Sequence, residues 1–338
     1  YRLRVPEEQR HHLSAPGLTA PAEESHAGLQ TLTWERYDLP GYSLREGSPH
    51  KLPAVYISNM ADWSEVDDWY QGLFREQTRL TRSLRVKARQ ITSGEKSRRE
   101  KIAAIYQYVE SNVEYLGIEF GIGAYQPRPA TSTLAQSRGD CKDMTALMVA
   151  LLDAIGIESH PALVRPRDQG RFIADHPSPG QFSHVVLYVP DGRGDLWLDA
   201  TSGMGTIGAI PGSLRGQHAF VVNGRGGALV QIPKARVGHN KLTEHRSYAL
   251  NFTGGGQMTS EIQFTGDLAG TSRQKLLSIE SGSRTALISA PGLLFGQGYI
   301  PDEVKIKALK STTSPLKIIG RLKHSDLVSV RMDGALVI

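Results

Sequence analysis

SRGDCKDMTALMVALLDAIG, residues Ser137 to Gly156, contains the single cysteine of a 338-residue chain. Behind it, Met144, Leu147, Met148, Leu151, Leu152 and Ile155 recur at helical spacing, and Gly156 stands where a helix closes on a left-handed residue. A helix this apolar packs on several sides, so the stretch predicts a buried helix with Cys141 in its first turn. Unpaired N–H groups at a helix start carry about half a positive charge, which favours a thiolate and can face an oxyanion. Gly139 permits a tight turn and close approach of a substrate backbone. Asp140 and Asp143 fit as caps and helix-dipole partners. An arbitrary lone cysteine is more often inert core, so the question is whether a base faces this one.

Of the eleven histidines, one passes a geometric filter. His184 opens the strand-like SHVVLYV and Asp199 closes LWLDAT. A hairpin turning at 190–193 pairs Val189 with Gly194 and Leu187 with Leu196, so His184 faces Asp199 directly. Opposed residues share one sheet face, their Cβ atoms roughly 5 Å apart. An aspartate there can hold an imidazole through Nδ1–H while the ring takes the thiol proton. A slip of one residue would put the two on opposite faces. His160, His176 and His218 have no such acid in the sequence pattern. Each residue alone has an ordinary explanation, as an edge histidine or a turn aspartate. The ordered set Cys, His, Asp is harder to explain by chance.

Around this centre the chain divides into three. Residues 1–60 are polar, with short strand-like pieces such as Leu29 to Leu39, and read as the end of a β domain and a linker. Residues 61–235 contain the cysteine helix and its strands. A helix capped by Asp62 carries Val66, Trp69, Tyr70, Leu73 and Phe74, and a second, from about Ser93, carries Ile102, Ile105, Tyr106, Val109 and Val113. Residues 236–338 alternate strand-like runs (RSYALNF, TSEIQFTG, EVKIKAL, KIIGRL, LVSVRM) with Gly-rich turns and one helix-like SRQKLLSI, a β-rich domain.

Composition limits the functional classes. Hydrophobic residues at 39% and charged residues at 22% describe a folded chain. No apolar run is long enough to span a membrane. One cysteine makes no internal disulfide and no cysteine-based zinc site. The net charge of +5 is uneven: from Pro211 onward sixteen Lys/Arg oppose eight Asp/Glu. That basic excess is scattered at strand spacing with few aromatics, which reads as a solvated face and not a nucleic-acid platform. GRGG (Gly224 to Gly227) lacks the Lys-Ser/Thr of a phosphate loop, and the two RGD triplets fall beside the thiol and in a turn. The chain opens on Tyr1, as expected of a processed or trimmed product.

GDCKDMTALMVALLDAIGIES, FSHVVLYV and LWLDAT together resemble the core of the bacterial transglutaminase-like superfamily, over roughly residues 90–225. ISNMADWSEVDDWYQGL and WERYDLPGY resemble the end of a domain of unknown function that often precedes that core. The resemblance implies an α+β, papain-like fold, with a nucleophile helix on an antiparallel sheet. It implies Cys141, His184 and Asp199 as catalytic residues, and no metal or other cofactor. Gln126 and Tyr125 are candidate oxyanion or substrate-binding residues, with a backbone-bonded loop residue as the equal alternative for Gln126. The implied reaction is attack of the thiol on a peptide or glutamine amide to give a thioester. Water as acceptor makes a protease, peptidase or deamidase; an amine makes a transglutaminase or other amide-forming acyltransferase. A non-enzymatic interaction module is the reading from another class. The expected partner is a protein or peptide substrate, in an extracytoplasmic setting such as a periplasm, with the cytoplasm as the alternative.

Overall fold

The computed structural model describes residues 1–9, 11–38, 53–117, 120–170, 172–192, 194–203, 206–251, 255–290, 294–295, 299–311, 314–324, 329–330 and 336–337. The chain begins with strands β1 (Arg2–Pro6), β2 (His12–Ser14), β3 (Ala22–His26), β4 (Leu29–Thr33) and β5 (Tyr56–Ser58). These form a sheet ordered β1-β4-β3 and a separate β2-β5 pair. The strand-like run from Leu29 thus ends at Thr33, and residues 39–42 of the WERYDLPGY segment lie outside the described residues.

Helix α1 (Trp63–Arg75) starts as its sequence requires: the Asp62 carboxylate accepts from the N–H groups of Ser64 and Glu65. Val66, Tyr70 and Phe74 form its buried stripe, and buried Asp67 sits beside them. The next helix, α2 (Arg82–Ile91), has no counterpart in the sequence reading, because only Leu84 and Ala88 of its ten residues are buried. Helix α3 (Arg98–Asn112) begins later than the predicted Ser93. Ser97 and Glu100 form a reciprocal capping box that fixes the start, and the residues before it are turn.

Strand β6 (Glu114–Tyr115), helix α4 (Ala130–Gln136) and strand β7 (Arg138–Gly139) lead into α5 (Cys141–Asp153). The predicted helix is therefore present, with Cys141 as its first residue. Strands β8 (His160–Val164), β9 (His184–Val189), β10 (Leu196–Leu198), β11 (His218–Val221) and β12 (Ala228–Gln231) form one antiparallel sheet ordered β10-β9-β8-β11-β12. Strand alternation puts Leu163, Val185 and Leu187 toward α5, packed with α1 at one end and with α2 and α3 at the other. Ala162, Val164, Val186 and Trp197 form a second core on the opposite face, closed by Ile210 and Leu214.

The last region contains β13 (Leu242–Leu250), β14 (Gly256–Phe264), α6 (Gly266–Leu277), α7 (Ser281–Ile288), β15 (Ile300–Lys307) and β16 (Leu316–His324). The strands form a sheet ordered β13-β14-β16-β15, whose Met258, Ile262, Leu316 and Ile318 pack with Ala269 and Leu276 of α6. The helix begins before the predicted SRQKLLSI segment, at Gly266. Of LVSVRM, Ser329 and Val330 form β17 (Ser329–Val330), paired with β18 (Leu336–Val337); the rest lies outside the described residues. The basic C-terminal region is tied to the central sheet through Arg215, whose guanidinium meets Asp267 at 2.6 Å. Among the described residues no helix is long and apolar enough to cross a membrane.

Candidate active site

The first turn of α5 is held by two carboxylates. Asp140 caps the helix through its Oδ1, which accepts from the N–H groups of Lys142 (3.1 Å) and Asp143 (3.2 Å). Asp143 returns the bond, its Oδ2 accepting from the Asp140 N–H at 3.2 Å. Its carboxylate is also held by Arg128, through the backbone N–H at 2.7 Å and the guanidinium at 2.8 Å. Lys142 is buried and paired with the second oxygen of Asp140. Arg128 and Lys142 are absent from the sequence reading. The pattern QPRPA gives no hint that its arginine reaches across to α5.

Gly139 has a different role from the one its sequence suggests. Its φ is not in the left-handed region, and a Cβ there would lie 2.7 Å from Cβ of Asp143 and 3.2 Å from Cγ2 of Thr133. The glycine lets β7 pass against the first turn of α5. Gly139→Ala is expected to cost about 1–3 kcal/mol, read as a lower denaturation midpoint with an unchanged urea m-value.

Cys141 is only 5% exposed and packs with Tyr70, Leu163 and Val185. It lies on a cavity of about 250 Å³ that also takes in Lys142, Tyr125, Phe182 and His184. His184 Nε2 is 3.0 Å from Oδ2 of Asp199. This corrects the sequence reading, which gives the carboxylate Nδ1. With Nε2 occupied, Nδ1 is the nitrogen left for the thiol.

The hairpin register is also corrected. Val189 pairs with Leu196 and Leu187 with Leu198, two residues away from the predicted alignment. Pro190 cannot extend the ladder, so the pairing stops at Val189 and Leu196. The ties of the connection include the Tyr188 hydroxyl donating to Asp195 (2.8 Å), the Asp191 N–H donating to the same carboxylate (3.2 Å), the Gly194 N–H donating to the Asp191 carbonyl, and the Arg98 guanidinium donating to the Pro190 carbonyl (2.9 Å). A shift of two keeps side-chain parity, so His184 and Asp199 become diagonal neighbours on one face. The side chains span that diagonal.

Burial alone would push the His184 imidazole down, but its hydrogen bond to Asp199 and the adjoining Cys141 raise it to about 10. Burial likewise disfavours the Asp199 carboxylate, yet His184 and Thr201 hold it below its usual range. Thr201 donates both its N–H (3.0 Å) and its hydroxyl (2.7 Å) to Oδ1, which leaves Oδ2 for the histidine. The Asp199 carbonyl accepts from the Tyr106 hydroxyl at 3.3 Å and from the Ser202 hydroxyl at 2.7 Å.

Of the other sequence candidates, Tyr125 alone among the described residues reaches the cavity. Tyr125 lines the cavity and stands edge-on to Trp69, with ring centroids 5.2 Å apart. Gln126, half-buried, donates its backbone N–H to the Ile122 carbonyl at 2.8 Å and is not among the residues lining the cavity. His160 does meet an acid, Glu158 at 3.1 Å, contrary to the sequence reading. It sits at the far end of β8 from Val164, the residue that pairs with His184. His176 is buried against His12 and Tyr56, and His218 stacks on Phe172. The GRGG turn is folded onto α1: Asp67 accepts from the N–H groups of Asn223 and Gly226, each at 2.9 Å. Beyond Tyr125 and Pro179 the cavity adjoins a cleft of about 480 Å³, walled by Val5, Ile57, Met60 and Trp69. Among the described residues no three His, Cys, Asp or Glu side chains are grouped to hold a metal ion.

Comparison with known proteins agrees with this architecture. Residues 85–200 match the family described as the transglutaminase-like superfamily. No curated protein matches the chain. Among solved structures, the fold is similar to that of a "putative protease" from Parabacteroides distasonis, at 13% identity and a TM-score of 0.56. The alignment covers 96% of this chain and 65% of that one, so this chain spans less than two thirds of its length. A "putative cysteine protease" from Cytophaga hutchinsonii is 15% identical with a TM-score of 0.29, over 59% of this chain and 66% of that one. A protein named a TGase is 11% identical with a TM-score of 0.27, over 55% and 45%.

Proposed function

We propose, from the premise that residues 85–200 carry a transglutaminase-like core, that the chain is a cysteine-dependent hydrolase of peptide or glutamine amides. One observation supports this above the rest: a single cavity contains Cys141 at the start of α5 and His184, itself bonded to Asp199 at 3.0 Å. In this reading Cys141 Sγ attacks the carbonyl carbon and its proton passes to His184 Nδ1. Asp199 keeps the other nitrogen protonated and steadies the imidazolium. The tetrahedral intermediate collapses with loss of the amine, which takes the proton from His184, and a thioester remains. Water, deprotonated by His184, then attacks the thioester; the acid leaves and the thiol is regenerated.

Hydrolysis is preferred, with a peptide as substrate, because the cavity at Cys141 continues past Tyr125 and Pro179 into a cleft of about 480 Å³. The name given to the Parabacteroides structure points the same way. We take residues 61–235 as the catalytic unit, with residues 1–60 and 236–338 flanking it, acting outside the cytoplasm. Limited proteolysis and cell fractionation test those two assignments.

The deciding experiment incubates the full chain with glutamine-containing peptides, with and without a primary amine, and reads the products by mass spectrometry. Cleavage or deamidation that disappears in Cys141→Ala is the expected result. Incorporation of the amine makes the protein a transglutaminase. No product from any peptide, with iodoacetamide alkylation of Cys141 indifferent to His184→Ala, makes it a binding module.

A further inference from the structure

An oxyanion that forms beside Cys141 needs donors, and α5 has few to give. The Asp140 carboxylate takes the amides of Lys142 and Asp143, and the Asp140 carbonyl takes that of Met144. Of the first turn, only the amide of Cys141 itself lies outside these bonds. Gln126, the donor suggested by sequence, does not line the cavity.

Tyr70 does. It comes from the middle of α1, is 1% exposed, and shares both the cavity and the apolar cluster with Cys141. Its ring packs on Phe74, with centroids 5.9 Å apart, among Val66, Ala146 and Phe220, a setting that phenylalanine would fill equally well. The hydroxyl is the part that packing does not explain. It is fully buried and has no hydrogen-bond partner among the described residues, the thiol sulfur included. Buried hydroxyls are almost always bonded, and one that is not costs stability unless a ligand completes it. Burial, then the charges of Cys141, Asp140 and Asp143, push its ionisation well above the usual 10, so it is a donor at any working pH.

We propose that the Tyr70 hydroxyl is an oxyanion donor, completing with the Cys141 amide the site for a tetrahedral intermediate on Cys141. This rests on the reading of Cys141 as nucleophile. As the S–C bond forms, the carbonyl π pair moves onto oxygen, which accepts from the Tyr70 O–H and the Cys141 N–H. When the pair returns to carbon, the leaving group departs and both donors are released unchanged. The group acts only on the intermediate, so its bond is made where it speeds reaction and not where it tightens substrate.

The test compares two reactions at the same thiol. Acylation by p-nitrophenyl acetate passes through an oxyanion and releases p-nitrophenolate as a burst; alkylation by iodoacetamide displaces iodide and forms none. Tyr70→Phe is expected to slow the burst on the order of 10²-fold, to leave the alkylation rate unchanged, and to leave Tm equal or higher. Gln126→Ala is expected to change neither rate. Equal slowing of both reactions by Tyr70→Phe would mean the hydroxyl shapes the thiol, and would overturn the proposal. So would an unchanged burst, or a selective loss in Gln126→Ala instead. A wild-type protein that gives neither burst nor alkylation would remove the nucleophile itself, and the Tyr70 role with it.

Discussion

Asp199→Asn is expected to lower kcat for amide hydrolysis by about 10³–10⁴-fold while the fold stays intact. The reason is a choice forced on the amide. Thr201 donates its N–H and its hydroxyl to Oδ1, at 3.0 and 2.7 Å, so the asparagine oxygen stays there and its NH₂ turns to His184. Nε2 must then accept, which moves the ring proton to Nδ1, the nitrogen assigned to the thiol. The base is blocked in its resting tautomer. Flipping the amide would restore the histidine bond and confront both Thr201 donors with an NH₂ group. The pH profile should move as well. The acid role of His184 requires the imidazolium, which Asp199 and Cys141 hold protonated up to about pH 10 against the effect of burial. Removing the carboxylate charge should shift the alkaline limb of kcat to lower pH. Those limbs report the Cys141–His184 pair, not one residue. Stability follows the same linkage. The raised His184 adds stability that is complete below its usual 6.5 and lost as pH rises through about 10. The lowered Asp199 adds stability present above its usual 3.8 and lost as pH falls through its native value. Thermal melts of wild type and Asp199→Asn should therefore differ most between about pH 4 and 6.5 and converge toward both extremes.

What could be read from residues alone follows a simple division. The position of Cys141 was legible because it is local: a cap, a first turn and an apolar stripe lie within one stretch of chain. The pairing of His184 with Asp199 survived a wrong register because a two-residue shift preserves parity; a one-residue shift would have parted them. The nitrogen that faces the carboxylate was not legible, since it depends on ring orientation and not on spacing. Tyr70 reads only as a stripe residue, and Arg128 and Asp67 carry no sequence signal of their roles. Their partners are distant in sequence, as with Asp67 and the 223–226 turn, and no periodicity encodes such a contact. Helix α2 is illegible for the opposite reason: only Leu84 and Ala88 are buried, with Ile91 partly so, too thin a stripe to read.

The largest stability effect belongs to Asp140. Asp140→Ala is expected to cost about 3–5 kcal/mol, because it leaves the buried Lys142 ammonium without its counter-charge. The same substitution removes the acceptor of two first-turn amides, a loss worth about 1 kcal/mol where an ordinary cap is deleted. Two further variants separate the parts. Asp140→Asn keeps a capping oxygen and loses only the charge, so it should recover little if the ion pair dominates. Asp140→Ala combined with Lys142→Met removes both charges and replaces the lysine stem with apolar bulk. It should be more stable than Asp140→Ala alone, short of wild type by about the value of the cap. Guanidinium or urea midpoints at constant m-value measure all four proteins. If the double variant is no better than Asp140→Ala, the pair contributes nothing beyond capping. Asp140 would then matter through the amides it holds, and the buried lysine would need another partner to explain its place next to the thiol.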